Sequence, residues 1–282
     1  MKSTIGVVGG AGFLGSHVAD ILDKNDYKVR IFDRAKSPWL RNSQEMIIGD
    51  LLSPKDLNEF VEGCDYIYHF AGLSDLNANL SNPIDSVKLN ILGTVNLLES
   101  CKKYNVKRFI YASSMYVYSR EGGFYRCSKR AAEEYIEEYN KVFDLDFTIL
   151  RFGSLYGPRS DDKNGIYRIV SNALETGKLT YIGSEETTRE YVHVFDMADA
   201  CLEVLSSPYK NQCLALTGTD SILVKNVLYI LAEILGLDSS AVEFIPGEYL
   251  GHYIKTPYAY EPKLAKKYIP KLHIDLGEGL LN

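Results

Sequence analysis

Close to the start of the chain, three glycines spaced three residues apart follow an apolar run, in the stretch VVGGAGFLG at positions 7–15. The run predicts a strand over Thr4–Val8, and the residues from Gly12 to Lys24 have a helical pattern. In such a strand–turn–helix unit the first glycine makes the turn, the second lets the backbone approach a pyrophosphate, and the third lets helix and strand pack closely. We therefore predict a dinucleotide site, with a purely structural turn as the alternative. The predicted contacts are Gly9, Gly12, Phe13, Leu14 and Gly15.

An acidic residue ends the second predicted strand, Val29–Phe32. Asp33 follows that strand at the position where a carboxylate accepts hydrogen bonds from the adenosine ribose of a dinucleotide. A carboxylate at this place repels a 2′-phosphate, so the sequence favours NAD over NADP. Arg34 comes next, and an arginine can serve a 2′-phosphate, so both residues are candidate cofactor contacts.

Short apolar runs alternate with helical patterns over the first half of the chain. This alternation predicts an α/β fold, a Rossmann-like doubly wound parallel sheet with helices on both faces. The other predicted strands are Met46–Ile48, Tyr66–Phe70, Arg108–Tyr111 and Phe147–Leu150, and the other helices are Pro54–Glu62, Pro83–Tyr104 and Tyr125–Val142. After Arg151 the pattern loosens. We predict a dinucleotide-binding domain over residues 1–151, to which later segments can return, and a smaller mixed α/β substrate-binding region over residues 152–282.

Charge and composition exclude several classes of partner. The 282 residues carry a net charge of −6 without a dense Lys/Arg run, which argues against nucleic acid and anionic membranes. No apolar run approaches the ~20 residues of a spanning helix. Five scattered cysteines and the lack of a recognisable signal peptide predict a cytoplasmic protein, and the lack of CxxC or HExxH spacing predicts no metal site.

A tyrosine and a lysine four residues apart open the last predicted helix of this half. Tyr125 and Lys129 share a helix face, and an ammonium beside a phenol lowers the pKa of the phenol, so Tyr125 is a candidate base. Ser113 and Ser114 follow the strand Arg108–Tyr111, at the sheet edge where ligands bind. A solvated helix face and ordinary loop serines are the alternatives for these two features.

Together these motifs resemble the extended short-chain dehydrogenase/reductase family, in particular its NAD-dependent epimerases and dehydratases of nucleotide sugars. The similar segments are GGAGFLG at 9–15, GDL at 49–51, HFAGL at 69–73, NILGT at 90–94, the paired serines with YxxxK, LRF to YGPR at 150–159, and REYVHV at 189–194.

The resemblance implies a role for each matching residue. Tyr125 would be the base, Lys129 would hold the nicotinamide ribose and tune Tyr125, and Ser114 would be the hydroxyl partner. Further cofactor contacts would be Asp50, Leu51, Phe70, Ala71, Gly72 and Asn90. The substrate would be contacted by Ser113, Ser114, Ser154 and Arg189, with the Arg189 guanidinium on the nucleotide diphosphate. The alternative for Arg189 is a salt bridge with Glu185, Glu186 or Glu190.

Three departures from the family pattern concern the substrate. Only Ser119–Phe124 stands where the family usually has a longer substrate loop. Ser154 replaces an asparagine that many members carry. The chain ends soon after Leu276–Leu280, which predicts a compact substrate region.

The predicted function is NAD-dependent epimerisation of a nucleotide sugar. Dehydratases of the family carry an Asp-Glu pair after the catalytic hydroxyl, and Met115 and Tyr116 stand there instead. The alternatives are a ketosugar reductase or a dehydratase of the same family, or a non-catalytic dinucleotide-binding sensor or scaffold. The helices Pro83–Tyr104 and Tyr125–Val142 resemble the pair that forms a dimer interface in the family, so we expect a homodimer.

Overall fold

The structure is a computed structural model and describes residues 2–246, 252–255 and 257. Its strands are β1 (Thr4–Val8), β2 (Lys28–Asp33), β3 (Glu45–Ile48), β4 (Tyr66–His69), β5 (Arg108–Ser114), β6 (Phe147–Phe152), β7 (Ser154–Tyr156), β8 (Leu179–Ile182), β9 (Thr188–Arg189), β10 (Tyr191–His193), β11 (Gln212–Leu216), β12 (Ile222–Leu223) and β13 (Val242–Ile245). Its α-helices are α1 (Phe13–Lys24), α2 (Pro54–Val61), α3 (Leu76–Ser81), α4 (Pro83–Ser86), α5 (Gly93–Lys103), α6 (Gly123–Phe143), α7 (Gly165–Thr176), α8 (Val194–Glu203) and α9 (Val224–Leu235).

Seven strands form one parallel sheet in the order β11-β6-β5-β4-β1-β2-β3. The chain starts in β1, moves outward through β2 and β3, and returns through β4 to the other side, so the sheet is doubly wound. The predicted fold class is thereby confirmed, and all six predicted strands form. The reversal of strand order at β1 and β4 opens a crevice at the carboxyl ends of these strands, where ligands bind in such sheets.

Both faces of the sheet are covered because its strands are apolar on successive residues. Phe109 and Tyr111 of β5 belong to one buried cluster, which also holds Leu97 of α5. Ile110, between them, belongs to a second cluster with Val18 of α1. Side chains along a strand point alternately to its two faces, so this division puts α5 and α1 on opposite sides of the sheet.

Part of the second half of the chain returns to the sheet. The strand β11 pairs with β6 at the edge, and α8 packs on α1. The remaining elements form three two-stranded pairs and a small cluster of their own around Leu179 and Leu228. The division at residue 151 stays a prediction, and the segment Leu276–Leu280 lies outside the described residues.

The predicted helix Pro83–Tyr104 is interrupted in its first half. Between α4 and α5, Val87–Leu92 form a π-helical segment, a feature that occurs frequently at functional sites. Its buried member is Asn90. Among the described helices, none combines the length and the apolar character that a membrane span requires.

Candidate active site

The glycine turn between β1 and α1 is closed by backbone contacts that side chains would block. Gly9 has φ +81°, and a Cβ there would lie 2.6 Å from the Ala71 N atom. A Cβ on Gly15 would lie 2.3 Å from the Gly9 carbonyl oxygen. Gly12 differs, because a Cβ there would have only the Gly9 oxygen within 4 Å, at 3.3 Å. Gly9 and Gly15 therefore serve close packing, and Gly12 has a single close neighbour beside the helix start.

The residues after β4 lie against this turn. Phe70 and Ala71 both donate their N–H groups to the Val8 carbonyl oxygen, at 2.8 and 3.2 Å. Gly72 has φ +151°, and a Cβ there would lie 2.6 Å from Asn90 Oδ1. The predicted cofactor residues of β1 and β4 are thus neighbours in the fold.

Asp33 ends β2 beside the glycine turn. Its Oδ2 accepts a hydrogen bond from Ala11 N at 3.1 Å. Arg34 is exposed. Asp50 lies in an exposed turn and accepts a hydrogen bond from Leu52 N, whereas Leu51 is buried under Gly93.

Asn90 joins two parts of the site. Its Oδ1 accepts from Leu73 N at 2.6 Å, and its Nδ2 donates to the Leu73 carbonyl oxygen at 3.0 Å and to Ser128 Oγ at 2.9 Å. Ser128 in turn donates to the Tyr125 carbonyl oxygen. Asn90 therefore fastens the end of β4 to the first turns of α6, and its direct contact with a cofactor stays a prediction.

The three predicted catalytic residues come together where β5 ends and α6 begins. The Ser114 hydroxyl lies beside the Tyr125 phenol, close enough to lower its pKa. Lys129 Nζ donates to the Ala112 carbonyl oxygen at 2.8 Å and lies 5.8 Å from the centre of the Tyr125 ring. A hydroxyl, a phenol and a buried ammonium therefore face one small volume at the carboxyl end of β5.

The spacing of Tyr125 and Lys129 predicts a lowered pKa for the Tyr125 phenol. This prediction is wrong, because the pKa of Tyr125 in the protein is raised. Burial raises the pKa of Tyr125 to about 12, and the neighbouring Ser114 hydroxyl lowers it only in part. Burial also lowers the pKa of Lys129 to about 8, against the opposing charge of Glu133. Desolvation wins in both cases because it penalises the charged form of each group.

Ser113 and Ser154, two of the predicted substrate contacts, lie in the strands β5 and β7. Ser113 is buried opposite Arg151, and within the described residues its Oγ has no hydrogen-bond partner. Ser154 lies in β7, opposite Tyr191 of β10. Their roles in substrate binding stay predictions.

Arg189 ends β9 and is buried. Its Nη1 donates to the Thr188 carbonyl oxygen at 2.8 Å, and its guanidinium lies 4.9 Å from the centre of the Tyr253 ring. Within the part of the chain that the structure describes, none of the three neighbouring glutamates forms an ion pair with Arg189. The salt-bridge alternative is therefore not what the structure contains.

Hydrogen bonds from α6 and within the loop hold the short segment Ser119–Phe124. Arg126 Nη1 donates to the Ser119 and Arg120 carbonyl oxygens, and Glu121 N donates to Ser119 Oγ. The loop therefore lies close against the start of α6.

Sequence reasoning missed one group of residues at the site. His252 and Tyr253 reach Tyr116 from a segment with no motif, far along the chain from the other site residues. Their aromatic character was the only available signal, and a chain with 21 tyrosines gives that signal little weight.

A dinucleotide fits the residues present. The N-terminus of α1 has no side-chain cap, so its N–H groups can serve a pyrophosphate. A Cβ on Gly12 would have only one protein atom within 4 Å, and the Asp33 carboxylate stands at the end of the neighbouring strand.

Comparisons with known proteins agree with this geometry. Residues 5–213 match the model of the NAD dependent epimerase/dehydratase family. A protein of Methanocaldococcus jannaschii named "Putative UDP-glucose 4-epimerase" is 30% identical, and the match covers 97% of this chain and 95% of that protein.

Solved structures give the same result. A UDP-glucose 4-epimerase of Thermotoga maritima, with UDP-glucose, has a TM-score of 0.82 at 27% identity over 91% of this chain and 90% of that one. A UDP-N-acetylglucosamine 4-epimerase of Methanobrevibacter ruminantium, in complex with UDP-N-acetylmuramic acid, has a TM-score of 0.83 at 25% identity over 92% and 90%. The predicted resemblance is confirmed, and the chain belongs to the NAD-dependent epimerase/dehydratase family.

Proposed function

We propose that this protein is an NAD-dependent epimerase of a nucleotide sugar. It oxidises one sugar hydroxyl to a ketone and then returns the hydride to the opposite face of the same carbon. The observation that carries this proposal is the assembly of Ser114, Tyr125 and Lys129 at the carboxyl end of β5, in a chain of this family.

Each of the three residues has a distinct part. Ser114 hydrogen-bonds the sugar oxygen and holds it beside the Tyr125 phenol. Tyr125 takes the hydroxyl proton as the carbon is oxidised and gives it back when the alcohol re-forms. Lys129 supplies a positive charge that favours the phenolate, against the burial that raises the pKa of Tyr125. Bound NAD supplies the reversible hydride acceptor.

The cofactor is held by the turn that follows β1 and by the residues beside it. Gly9, Gly12, Phe13, Leu14 and Gly15 bind the pyrophosphate, and Asp33 binds the adenosine ribose. The remaining predicted contacts, namely Arg34, Asp50, Leu51, Phe70, Ala71, Gly72 and Asn90, surround the adenosine and nicotinamide ends.

The substrate is held mainly by its diphosphate. Arg189 offers a planar guanidinium suited to phosphate oxygens, and its lack of a carboxylate partner in the described residues supports this role. Ser113 and Ser154 are further proposed contacts. We also propose a cytoplasmic homodimer in which residues 152–282 bind the substrate.

Epimerisation is favoured over the alternatives by the residues beside Ser114. Met115 and Tyr116 offer no carboxylate for the elimination of water that a dehydratase performs. A one-way reductase would draw on external reduced cofactor, typically NADPH, which Asp33 disfavours. A non-catalytic sensor would have no use for Ser114, Tyr125 and the buried Lys129 at one place.

The test is turnover on a panel of UDP- and dTDP-sugars with the NAD-loaded enzyme, with product sugars separated by chromatography. Tyr125→Phe removes one oxygen and should lower turnover by roughly 10²–10⁴-fold with an unchanged melting temperature. Wild-type turnover in Tyr125→Phe, or a wild-type enzyme that inverts no sugar of the panel, would contradict the proposal. Release of a dehydrated product would point to the dehydratase alternative.

A further inference from the structure

Tyr116 borders the volume in which Ser114 and Tyr125 meet. It lies in the 3₁₀ turn Met115–Tyr118, directly after Ser114, whose Oγ accepts a hydrogen bond from Tyr116 N at 3.3 Å. Its ring centre lies 6.1 Å from that of Tyr125, with the two rings nearly perpendicular. A substrate hydroxyl that reaches both Ser114 and Tyr125 therefore has the Tyr116 ring beside it.

The Tyr116 ring is fixed on two sides. A Cβ on Gly122, which has φ +90°, would lie 2.8 Å from Tyr116 Cδ1, so the short loop packs directly on the ring. The ring centre of Tyr253 lies 4.7 Å from that of Tyr116. The Tyr116 ring therefore packs between the short loop and Tyr253.

The Tyr116 hydroxyl has its own partner. It forms a hydrogen bond of 2.7 Å with His252 Nδ1. Burial lowers the pKa of His252 to about 4, with Arg189 and Arg168 acting in the same direction and Asp75 opposing them. The imidazole is therefore neutral near pH 7, and the pair is an uncharged phenol–imidazole hydrogen bond.

The same segment reaches Arg189. The Ile254 carbonyl oxygen accepts from Thr188 N at 3.0 Å, beside Arg189 in β9, and the Arg189 guanidinium lies over the Tyr253 ring. Tyr125, Tyr116, Tyr253 and Arg189 consequently form a continuous row. If Arg189 holds a diphosphate and Tyr125 faces the reacting hydroxyl, the part of the substrate between them is the sugar ring.

We propose that Tyr116 is a specificity-determining residue that contacts the sugar, and that His252 is a positioning residue that fixes the Tyr116 hydroxyl. This inference rests on the proposed function and names the part of the site that recognises the sugar half. A neutral phenol offers a hydrogen bond to a sugar hydroxyl and an apolar ring edge to the sugar carbons. Burial holds the pKa of Tyr116 well above its ordinary value, so the phenol stays protonated and uncharged at neutral pH.

Calorimetry with two probes, UDP-glucose and UDP, separates the sugar half from the nucleotide half. With NAD present, Tyr116→Phe should weaken UDP-glucose binding by roughly three- to ten-fold, the scale of one hydrogen bond, and leave UDP binding unchanged. Arg189→Ala should weaken the binding of both UDP-glucose and UDP. Tyr229→Phe, at an exposed tyrosine of α9, is the matched control and should change neither.

The role of His252 is tested by its dependence on Tyr116. His252→Ala should reproduce the loss seen in Tyr116→Phe, and the double variant should be no worse than either single one. His252→Asn places an amide atom near the position of Nδ1 and should restore part of the affinity. In turnover assays the loss should appear in KM, with kcat within a few-fold of wild type.

The outcomes distinguish this inference from the proposed function. Suppose that wild type inverts a nucleotide sugar. If Tyr116→Phe then binds UDP-glucose as tightly as wild type does, or loses as much affinity for UDP as for UDP-glucose, the inference is overturned and the function stands. Additive losses in the double variant would overturn the part that concerns His252. A wild-type protein that acts on no nucleotide sugar would overturn both.

Discussion

At the scale of single residues, Lys129 is a buried lysine with a lowered pKa. Its side chain is 6% exposed, and the pKa in the folded chain is about 8, against an ordinary value of 10.5. The folded state therefore binds this proton less tightly than the unfolded state, so charged Lys129 destabilises the fold below pH 8. This destabilisation of the folded state declines above pH 8 and disappears as the pH rises to 10.5.

Replacing Lys129 should therefore stabilise the protein while it abolishes function. We expect Lys129→Met to raise the free energy of unfolding at pH 7 by roughly 1–3 kcal/mol, less than the full pKa shift implies because the hydrogen bond to Ala112 is lost. The difference in the free energy of unfolding between Lys129→Met and wild type should shrink between pH 8 and 10.5. Urea denaturation at several pH values measures this, and an equally stable or less stable variant at pH 7 would contradict it.

We expect the charge of Asp33 to set the preference between NAD and NADP. Its carboxylate accepts a hydrogen bond from Ala11 N, which an amide oxygen can also accept. Asp33→Asn keeps the size of the side chain but removes the negative charge that repels a 2′-phosphate. We expect wild type to bind NAD more tightly than NADP and the variant to narrow that preference, as measured by titration. Tighter binding of NADP by wild type would instead give Arg34 the role of a phosphate ligand.

At the scale of structural elements, the turn between β1 and α1 uses its glycines for two purposes. Gly15→Ala places a Cβ 2.3 Å from the Gly9 oxygen and should lower both the melting temperature and NAD affinity. Gly12→Ala meets only one protein atom, at 3.3 Å, and should lower NAD affinity by more than about tenfold with little change in melting temperature. Equal losses of stability in the two variants would show that Gly12 serves packing alone.

At the scale of the whole molecule, exposed apolar residues line the long helices. Ile84, Val87 and Leu92 in the run from α4 to α5 are each about half exposed or more, as are Tyr135 and Val142 on α6. Buried in a homodimer, these side chains would be removed from water.

This arrangement predicts that a charged side chain among the exposed apolar residues from α4 to α5 dissociates the homodimer. Leu92→Glu should convert a dimer into a monomer, because a buried glutamate without a partner opposes association. Ile234→Glu, at an equally apolar and more exposed position of α9, is the control and should leave the dimer intact. Light scattering reads out both variants, and a monomeric wild-type protein would contradict the prediction.

The sequence by itself determined the features that are local along the chain. The strand, glycine turn and helix at residues 4–24 occupy consecutive positions, so periodicity and glycine spacing suffice to predict them. The same holds for the six strands of the first half and for the acid at position 33. The YxxxK spacing and the end of a strand made Ser114, Tyr125 and Lys129 candidates, and the family resemblance assigned their roles. The fold brings these three residues to one place.

The tertiary structure decided what depends on burial and on contacts between distant segments. The rise of the Tyr125 pKa comes from desolvation, which depends on the packing around the phenol and not on the lysine one turn away. The edge strand β11 and the hydrogen bond between Tyr116 and His252 join residues more than 60 positions apart. No local pattern encodes such pairs, because they exist only when the chain has closed on itself.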